Sequence, residues 1–237
     1  MNTVMTHIVA GYPTMRGCEK TAISMARAGV KFIEIQIPFS DPVADGPVIM
    51  RANQAALSRG VRVADCFELM SRLRRRFDLE GLEVSLLFMT YYNILFRYGV
   101  GRFCEWAAAC GCYGLIVPDI PFDEGAEYLA ACESCGLCGV QVVSPIVSEE
   151  RLRSIGEVAR GMVYCVSRYG TTGVRGELNV GLETYLKRVR KHISVPLAVG
   201  FGISSRGQVE AVLRVADIAV VGSALIDGDL TDLKKLL

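Results

Sequence analysis

The residues best suited to chemistry are a glutamate inside an apolar run and two aspartates in the loop that follows it. Glu34 stands between two isoleucines, and Asp41 and Asp45 lie in the segment 37–47, which contains three prolines. Alternate side chains of a β-strand point to opposite faces, so Glu34 is expected to face inward while the isoleucines face outward. A charged carboxylate is unfavourable in an apolar interior, and this condition suits a general acid or base.

Each carboxylate also has a purely structural interpretation. Glu34 could instead be held by a buried hydrogen-bond partner, and Asp45, which precedes Gly46, could form a local turn. The prolines restrict the backbone of the loop, which favours fixed positions for the aspartates. We favour chemistry at Glu34, with Asp45 accepting a hydrogen bond from a donor on a bound substrate.

Glycines follow the last three predicted strands. The segment 167–176 contains three glycines and two threonines, which is typical of a mobile lid. The segments 200–202 and 222–223 each end an apolar run and precede a predicted helix start. Two neighbouring turns of this kind expose backbone N–H groups to one anion, so we predict a phosphate site there. The alternative is that each glycine serves only its own turn.

The elements that must position these residues alternate regularly. Short β-branched runs begin near residues 6, 31, 83, 113, 139, 161, 195 and 217, with helical periodicity between them. This order predicts one α/β domain over residues 1–237, a closed (β/α)8 TIM barrel with eight parallel strands. An open doubly wound sheet is the alternative, but the turn 10–13 after the first strand lacks its glycine-rich fingerprint.

The composition restricts the classes of function. The chain has 237 residues, 51% of them hydrophobic, with 26 basic and 25 acidic side chains. The balanced charge argues against nucleic acid as a partner, and no apolar run reaches the roughly 18 residues of a membrane span. No export signal is evident, so we predict a cytoplasmic protein. The nine cysteines are interpreted as reduced core residues, although the spacing of Cys110, Cys112, Cys135 and Cys138 leaves a metal site as the weaker alternative.

The motifs resemble those of the tryptophan synthase alpha chain family. The signature is the segment 34–47, of which residues 37–47 are the most specific. The matching motifs occur in order from the first strand to the last, so the resemblance covers nearly the whole chain. The supporting segments are 9–13, 117–121, 167–173, 200–203 and 222–223, together with Tyr164.

The resemblance implies a lyase of tryptophan biosynthesis that cleaves indole-3-glycerol phosphate to indole and glyceraldehyde 3-phosphate, with neither cofactor nor metal. Glu34 would be the acid/base, and Asp45 would hold the indole N–H. A beta chain carrying pyridoxal phosphate would bind the same barrel face in a heterotetramer. The other implied residues are Tyr91, Tyr164, Thr172 and Phe201 for the substrate pocket, Gly173, Gly202, Gly222 and Ser223 for the phosphate, and Pro38, Asp41 and Asn93 for the partner.

Several features depart from the family pattern. Gln36 stands where the family usually has glycine, and it is expected either to hydrogen-bond Glu34 or to crowd the substrate. His7 stands where an apolar pocket residue is usual, and it is expected either to touch the indole end of the ligand or to pack as a neutral imidazole. Thr171 replaces a commonly apolar lid residue. Because the chain starts just before the first strand, the helix that closes the barrel bottom is expected to be missing or truncated.

These departures keep two other functions open. In one, cleavage is weakened or lost, and the chain acts mainly as an allosteric subunit that activates a beta chain. In the other, the chain is a different phosphate-handling barrel such as a sugar-phosphate isomerase, although the segment 37–47 argues strongly against it. The fold alone does not separate these functions; the site residues and an assay of indole release do.

Overall fold

The architecture, seen in a computed structural model that describes residues 3–166, 180–200 and 202–226, is a closed barrel of eight parallel strands. Each strand pairs with its neighbours in chain order, and β1 also pairs with β8. The predicted TIM barrel is therefore confirmed, and the open sheet is wrong because the β1–β8 pairing removes both sheet edges. The strands are β1 Thr3–Val9, β2 Phe32–Gln36, β3 Ser85–Met89, β4 Gly114–Ile116, β5 Cys138–Val143, β6 Val163–Val166, β7 Leu197–Gly200 and β8 Ile218–Val221.

Helices cover the outside of the barrel. Helix α3 shows why, since its apolar side chains recur every three or four residues and form one buried stripe that includes Cys66, Met70 and Phe77. Gly81 ends this helix in the left-handed conformation that glycine adopts at least cost. The helices are α1 Met15–Arg27, α2 Pro47–Ser58, α3 Val63–Glu80, α4 Tyr92–Tyr98, α5 Val100–Ala109, α6 Ala126–Ser134, α7 Glu149–Val158, α8 Val180–Arg190, α9 Arg206–Leu213 and α10 Ser223–Ile226, with a 3-10 turn at Phe122–Glu124.

Strand alternation separates two apolar layers. Ile33 and Ile35 face outward and pack with the helices, as the sequence predicts. Met5 and Phe32 face inward, within a smaller cluster that fills the barrel. Each fully buried side chain of this size contributes about 1.5–3 kcal/mol to folding. Apolar side chains thus fill the lumen at the level of Met5 and Phe32. The polar residues His7 and Glu34 come next along β1 and β2, closer to the carboxyl ends of the strands.

Most cysteines belong to the packing between helices and strands, whereas Cys138 belongs to the apolar cluster inside the barrel. All nine are free thiols, and all but the half-buried Cys135 are buried. Cys112 and Cys138 donate to the backbone carbonyls of Gly114 and Arg160 at 3.1 and 2.9 Å. Within the described ranges, no group of three or more cysteine, histidine or acidic residues is placed to hold a metal ion.

No helix within those same ranges is both long and apolar enough to cross a bilayer. The cytoplasmic location stays a prediction.

Candidate functional site

The carboxyl ends of the strands surround a cavity of about 440 Å³, a size typical of small-molecule sites. One side, here called the side-chain wall, consists of His7, Glu34, Asp45 and Tyr164. The other side, the glycine wall, consists of Gly200, Gly202 and Gly222 at the ends of β7 and β8, with Ser223 beside it. Apolar residues from the remaining strands complete the lining, among them Met89, Ile116, Val142, Val166 and Val220.

Glu34 faces inward as predicted, and it has a buried partner. The register of β1 and β2 sets His7 directly beside it, and His7 Nδ1 lies 2.7 Å from Glu34 Oε1. Both residues are 3% exposed. The two interpretations of Glu34 are therefore compatible, because a carboxylate held by a partner also lines the cavity.

His7 is a partner of Glu34, a role that the sequence analysis did not predict. Burial by itself lowers the pKa of His7, but the charge of Glu34 and the hydrogen bond to it outweigh burial, so the pKa is raised overall. Asp45 adds a smaller contribution in the same direction. The ring is packed, as one of the two expectations has it, but it packs against a carboxylate whose charge favours the protonated form over the neutral one. Contact between His7 and a ligand stays a prediction.

Asp45 is held by side chains from β2 and from the end of β3. Gln36 Nε2 donates to Asp45 Oδ2 at 2.6 Å, and the Tyr91 hydroxyl donates to the same oxygen at 2.9 Å. The expectation that Gln36 would hydrogen-bond Glu34 is wrong, since its amide donates to Asp45. Burial raises the pKa of Asp45, and the hydrogen bonds from Gln36 and Tyr91 oppose the rise without cancelling it.

The two predicted pocket tyrosines take different positions. Tyr164 lines the cavity, and burial, reinforced by the charges of Glu34 and Asp45, raises its pKa well above the usual value. It is therefore a neutral phenol. Tyr91 is fully buried, stacks on Phe39 with ring centroids 5.1 Å apart, and accepts a hydrogen bond from the Ala44 N–H at 3.1 Å. Tyr91 is therefore not part of the cavity lining, but its hydroxyl contacts Asp45, which is.

The glycines of this wall serve different purposes, because Gly200 makes room for Tyr164 whereas the space beside Gly202 is open. A Cβ on Gly200 would lie 2.7 Å from the Tyr164 hydroxyl. Gly202 has a φ of +64°, in the left-handed region that favours glycine. The helix start predicted after residues 200–202 is confirmed, since α9 begins at Arg206 and the Ser205 side chain caps it by accepting from the Gln208 N–H. The second predicted helix start is confirmed at Ser223, the first residue of α10.

The predicted partner residues lie near the mouth of the barrel. Asp41 and Asn93 are exposed, whereas Pro38 is buried in the single chain. Exposed Val43, Phe96 and Ile146 follow β2, β3 and β5 on the same side, and the sequence analysis did not identify them. Their position after strands that end at the barrel mouth is the signal that would have found them. Thr172, Gly173, Phe201 and the segment 167–176 lie outside the described residues.

Comparison with known proteins places this geometry in a family. The family model described as "Tryptophan synthase alpha chain" matches residues 1–235. The tryptophan synthase alpha chain of Syntrophotalea carbinolica is 44% identical over 223 residues, covering 94% of this chain and 86% of the relative. That of Desulforapulum autotrophicum is 46% identical with the same coverage.

Solved structures are similar over most of their length. A structure of Mycobacterium tuberculosis tryptophan synthase has a TM-score of 0.87 and 35% identity, covering 99% of this chain and 90% of that chain. A chain from the tryptophan synthase α2β2 complex of Pyrococcus furiosus has a TM-score of 0.87 and 33% identity, covering 95% and 89%. Since sequence and structure agree over nearly its full length, this chain belongs to the tryptophan synthase alpha chain family.

Proposed function

We propose that this chain is a lyase of tryptophan biosynthesis that cleaves indole-3-glycerol phosphate to indole and glyceraldehyde 3-phosphate. The observation that carries the proposal is the pairing of an inward carboxylate, Glu34, with a glycine wall across one cavity. This arrangement suits a substrate with a reacting ring at one end and a phosphate at the other. The isomerase alternative is not favoured, because family membership and the segment 37–47 both argue for the lyase.

The chemistry assigned to the side-chain wall is proton transfer. Glu34 gives a proton to the ring carbon that carries the glycerol chain, which weakens the bond between them. Loss of the proton from the adjacent hydroxyl forms the aldehyde, and the electrons of the broken C–C bond return to the indole ring. Asp45 accepts a hydrogen bond from the indole N–H and stabilises the positive charge that develops on the ring. Tyr164 forms the adjoining pocket surface.

The phosphate is assigned to the opposite side of the cavity. Gly202, Gly222 and Ser223 offer backbone N–H groups there, and the absence of side chains on the glycines lets an anion approach the backbone. The roles of Thr172, Phe201 and Gly173 in closing the pocket stay predictions.

The mouth of the barrel is assigned to a beta chain of tryptophan synthase. The Pyrococcus furiosus neighbour belongs to an α2β2 complex, and the same assembly is proposed for this chain. Exposed Val43, Phe96 and Ile146 give the mouth an apolar surface, with Asp41 and Asn93 as polar contacts. Direct passage of indole to the beta chain requires this placement of the partner.

Indole release from indole-3-glycerol phosphate tests the lyase. Wild type and Glu34→Gln are assayed with and without a beta chain, and Glu83→Gln, whose side chain is 90% exposed, is the matched control. We expect Glu34→Gln to reduce kcat by about 10²–10⁴-fold, because an acid/base group contributes that much. Glu83→Gln should match wild type.

The allosteric alternative predicts a different result. Cleavage would be the same in wild type and Glu34→Gln, while both proteins would still stimulate the beta chain. That outcome, or no indole from wild type under either condition, would reject the lyase proposal.

A further inference from the structure

The contact between His7 and Glu34 has no part in the function proposed so far. Strand register alone brings the two residues together, since His7 is the Cα partner of Glu34 in the β1–β2 ladder and both face inward. Their side chains are joined at 2.7 Å, and each is 4% exposed. A buried pair with this geometry fixes the orientation of the carboxylate and provides a hydrogen bond along which a proton can pass between the two side chains.

The paired atoms of His7 and Glu34 leave one further polar atom on each side chain. His7 Nε2 and Glu34 Oε2 are both buried and have no hydrogen-bond partner within the described part of the chain. Buried polar groups are nearly always hydrogen-bonded, so unpartnered atoms call for an explanation. Because both residues line the cavity, a polar group of a bound ligand is the partner that fits.

The groups that face the imidazole are acidic or neutral. Glu34 and the neutral amide of Gln36 approach from β2, Asp45 approaches from the loop after β2, and Tyr164 lines the same cavity from β6. From β8, Gly222 approaches His7 without an ionisable group, and a Cβ there would lie 3.5 Å from the His7 Cβ. No basic side chain is among the residues that line the described cavity with His7. The surroundings therefore favour a proton on the pair.

We propose that His7 is a positioning residue that holds Glu34 in the orientation and protonation state that cleavage needs. The proposal rests on the lyase function above. The pair carries one proton, gives it through Glu34 to the indole ring carbon, and takes up the proton of the glycerol hydroxyl. The C–C bond pair moves to the ring and the O–H pair forms the carbonyl, so the proton count of the dyad is restored at each turnover and no oxidant or reductant is needed.

Two substitutions at residue 7 separate orientation from titration. His7→Phe removes both the hydrogen bond and the ionisable ring, whereas His7→Asn keeps a donor near the position of Nδ1 but does not titrate. His192, the second histidine of the chain, is the control, since its Nε2 lies 3.7 Å from a half-exposed glutamate outside the cavity. His192→Asn should leave cleavage unchanged.

We expect His7→Phe to lower kcat about 10- to 100-fold with less than a threefold change in KM. Its alkaline limb in the pH–rate profile should move to lower pH, because the variant lacks the imidazole whose pKa the contact with Glu34 raises. His7→Asn should recover part of kcat while its alkaline limb stays displaced. A purely structural role would leave the limb in place, and wild-type kcat and pH profile in His7→Phe would overturn the proposal.

A titration of the imidazoles by NMR tests the pair without relying on activity. The chain has two histidines, so His192→Asn identifies the His7 signal. Glu34→Gln should move the titration of His7 to lower pH, because it removes the charge that retains the proton. If Glu34→Gln leaves the titration of His7 unchanged, Glu34 does not retain the imidazole proton, and the proposal for His7 is rejected even if indole is released. If the pair is seen but wild type releases no indole, the lyase proposal fails and the assigned role of His7 fails with it.

Discussion

The side-chain wall of the cavity presents ionisable groups held by hydrogen bonds, whereas the glycine wall presents backbone with no side chains. His7 on β1 and Glu34 on β2 hold each other at 2.7 Å, and Gln36 on β2 holds Asp45 at 2.6 Å. Gly200 and Gly222 instead keep a side chain out of the space next to Tyr164 and His7. One wall therefore positions reacting protons, which requires rigid partners, and the other admits a ligand. Substitutions should therefore change kcat on one wall and KM on the other.

Asp45→Asn should give the largest effect after Glu34→Gln. The amide oxygen can accept the hydrogen bonds that Gln36 and Tyr91 now give to Oδ2, so the geometry is retained while the charge is lost. Removing one preorganised electrostatic contact typically costs about 10²–10³ in kcat, and we expect a loss of this size. Steady-state cleavage kinetics measure it.

Asp78→Asn is the control for that substitution, because Asp78 is 65% exposed and pairs with Arg74 on the surface of α3. It should cleave like wild type. An Asp45→Asn enzyme with wild-type kcat would show that the charge of the side-chain wall is not used.

Gly200→Ala tests the glycine wall. The new Cβ would lie 2.7 Å from the Tyr164 hydroxyl and 3.2 Å from its ring, so this side chain, which lines the cavity, must shift. We expect KM to rise about 10-fold with a smaller change in kcat, and overpacking to lower the free energy of unfolding by about 1–3 kcal/mol. Substrate-saturation curves and urea denaturation measure the two effects.

The matched glycine is Gly207 in α9, where a Cβ would meet nothing within 4 Å. Gly207→Ala should leave KM unchanged and stabilise the helix by about 0.5–1 kcal/mol. If Gly200→Ala reduces kcat alone, the division of roles between the two walls is wrong.

The sequence predicted the glycine wall better than the contacts of the side-chain wall. Strand alternation is a local property, so the inward direction of Glu34 followed from a period of two. A parallel barrel brings all strand ends to one face, which placed Gly202, Gly222 and Asp45 around one cavity. The pairing of His7 with Glu34 depends on the register between strands, which local patterns do not contain.

The partner of Gln36 was missed for a related reason. Residues i and i+2 of a strand share a face and are about 6.6–6.8 Å apart, a separation that long side chains can span, so strand spacing alone did not decide the partner of Gln36. Only the fold of the proline-rich loop returns Asp45 to Gln36. A buried tyrosine needs a partner for its hydroxyl, and this rule was the available signal for Tyr91.

Gln36→Gly restores the residue that is usual in the family, and Tyr91→Phe removes the second donor to Asp45. Hydrogen bonds to charged groups contribute about 1.5–3 kcal/mol, so we expect each substitution to lower kcat/KM by about 10-fold. The double variant should lose less than the product of the two, because both donors hold the same oxygen. A double-mutant cycle measures the coupling, and strictly multiplicative losses would show that the two donors act independently.

The smallest effect expected is a pH-dependent difference in stability between wild type and His7→Asn. Folding raises the pKa of His7 above the unfolded value of about 6.5, so the folded state binds the proton more tightly. The stabilisation is complete below about pH 6.5 and is lost as the pH rises through the folded-state pKa. It amounts to about 1.4 kcal/mol for each pH unit that separates the two pKa values.

Urea denaturation of both proteins between about pH 5 and pH 9 measures this dependence. Wild type should lose its advantage over His7→Asn as the pH rises, whereas His192→Asn should follow wild type throughout. Parallel curves for wild type and His7→Asn would mean that the carboxylate does not retain the imidazole proton in solution. The side-chain wall would then contain ionisable residues that do not retain a proton on His7.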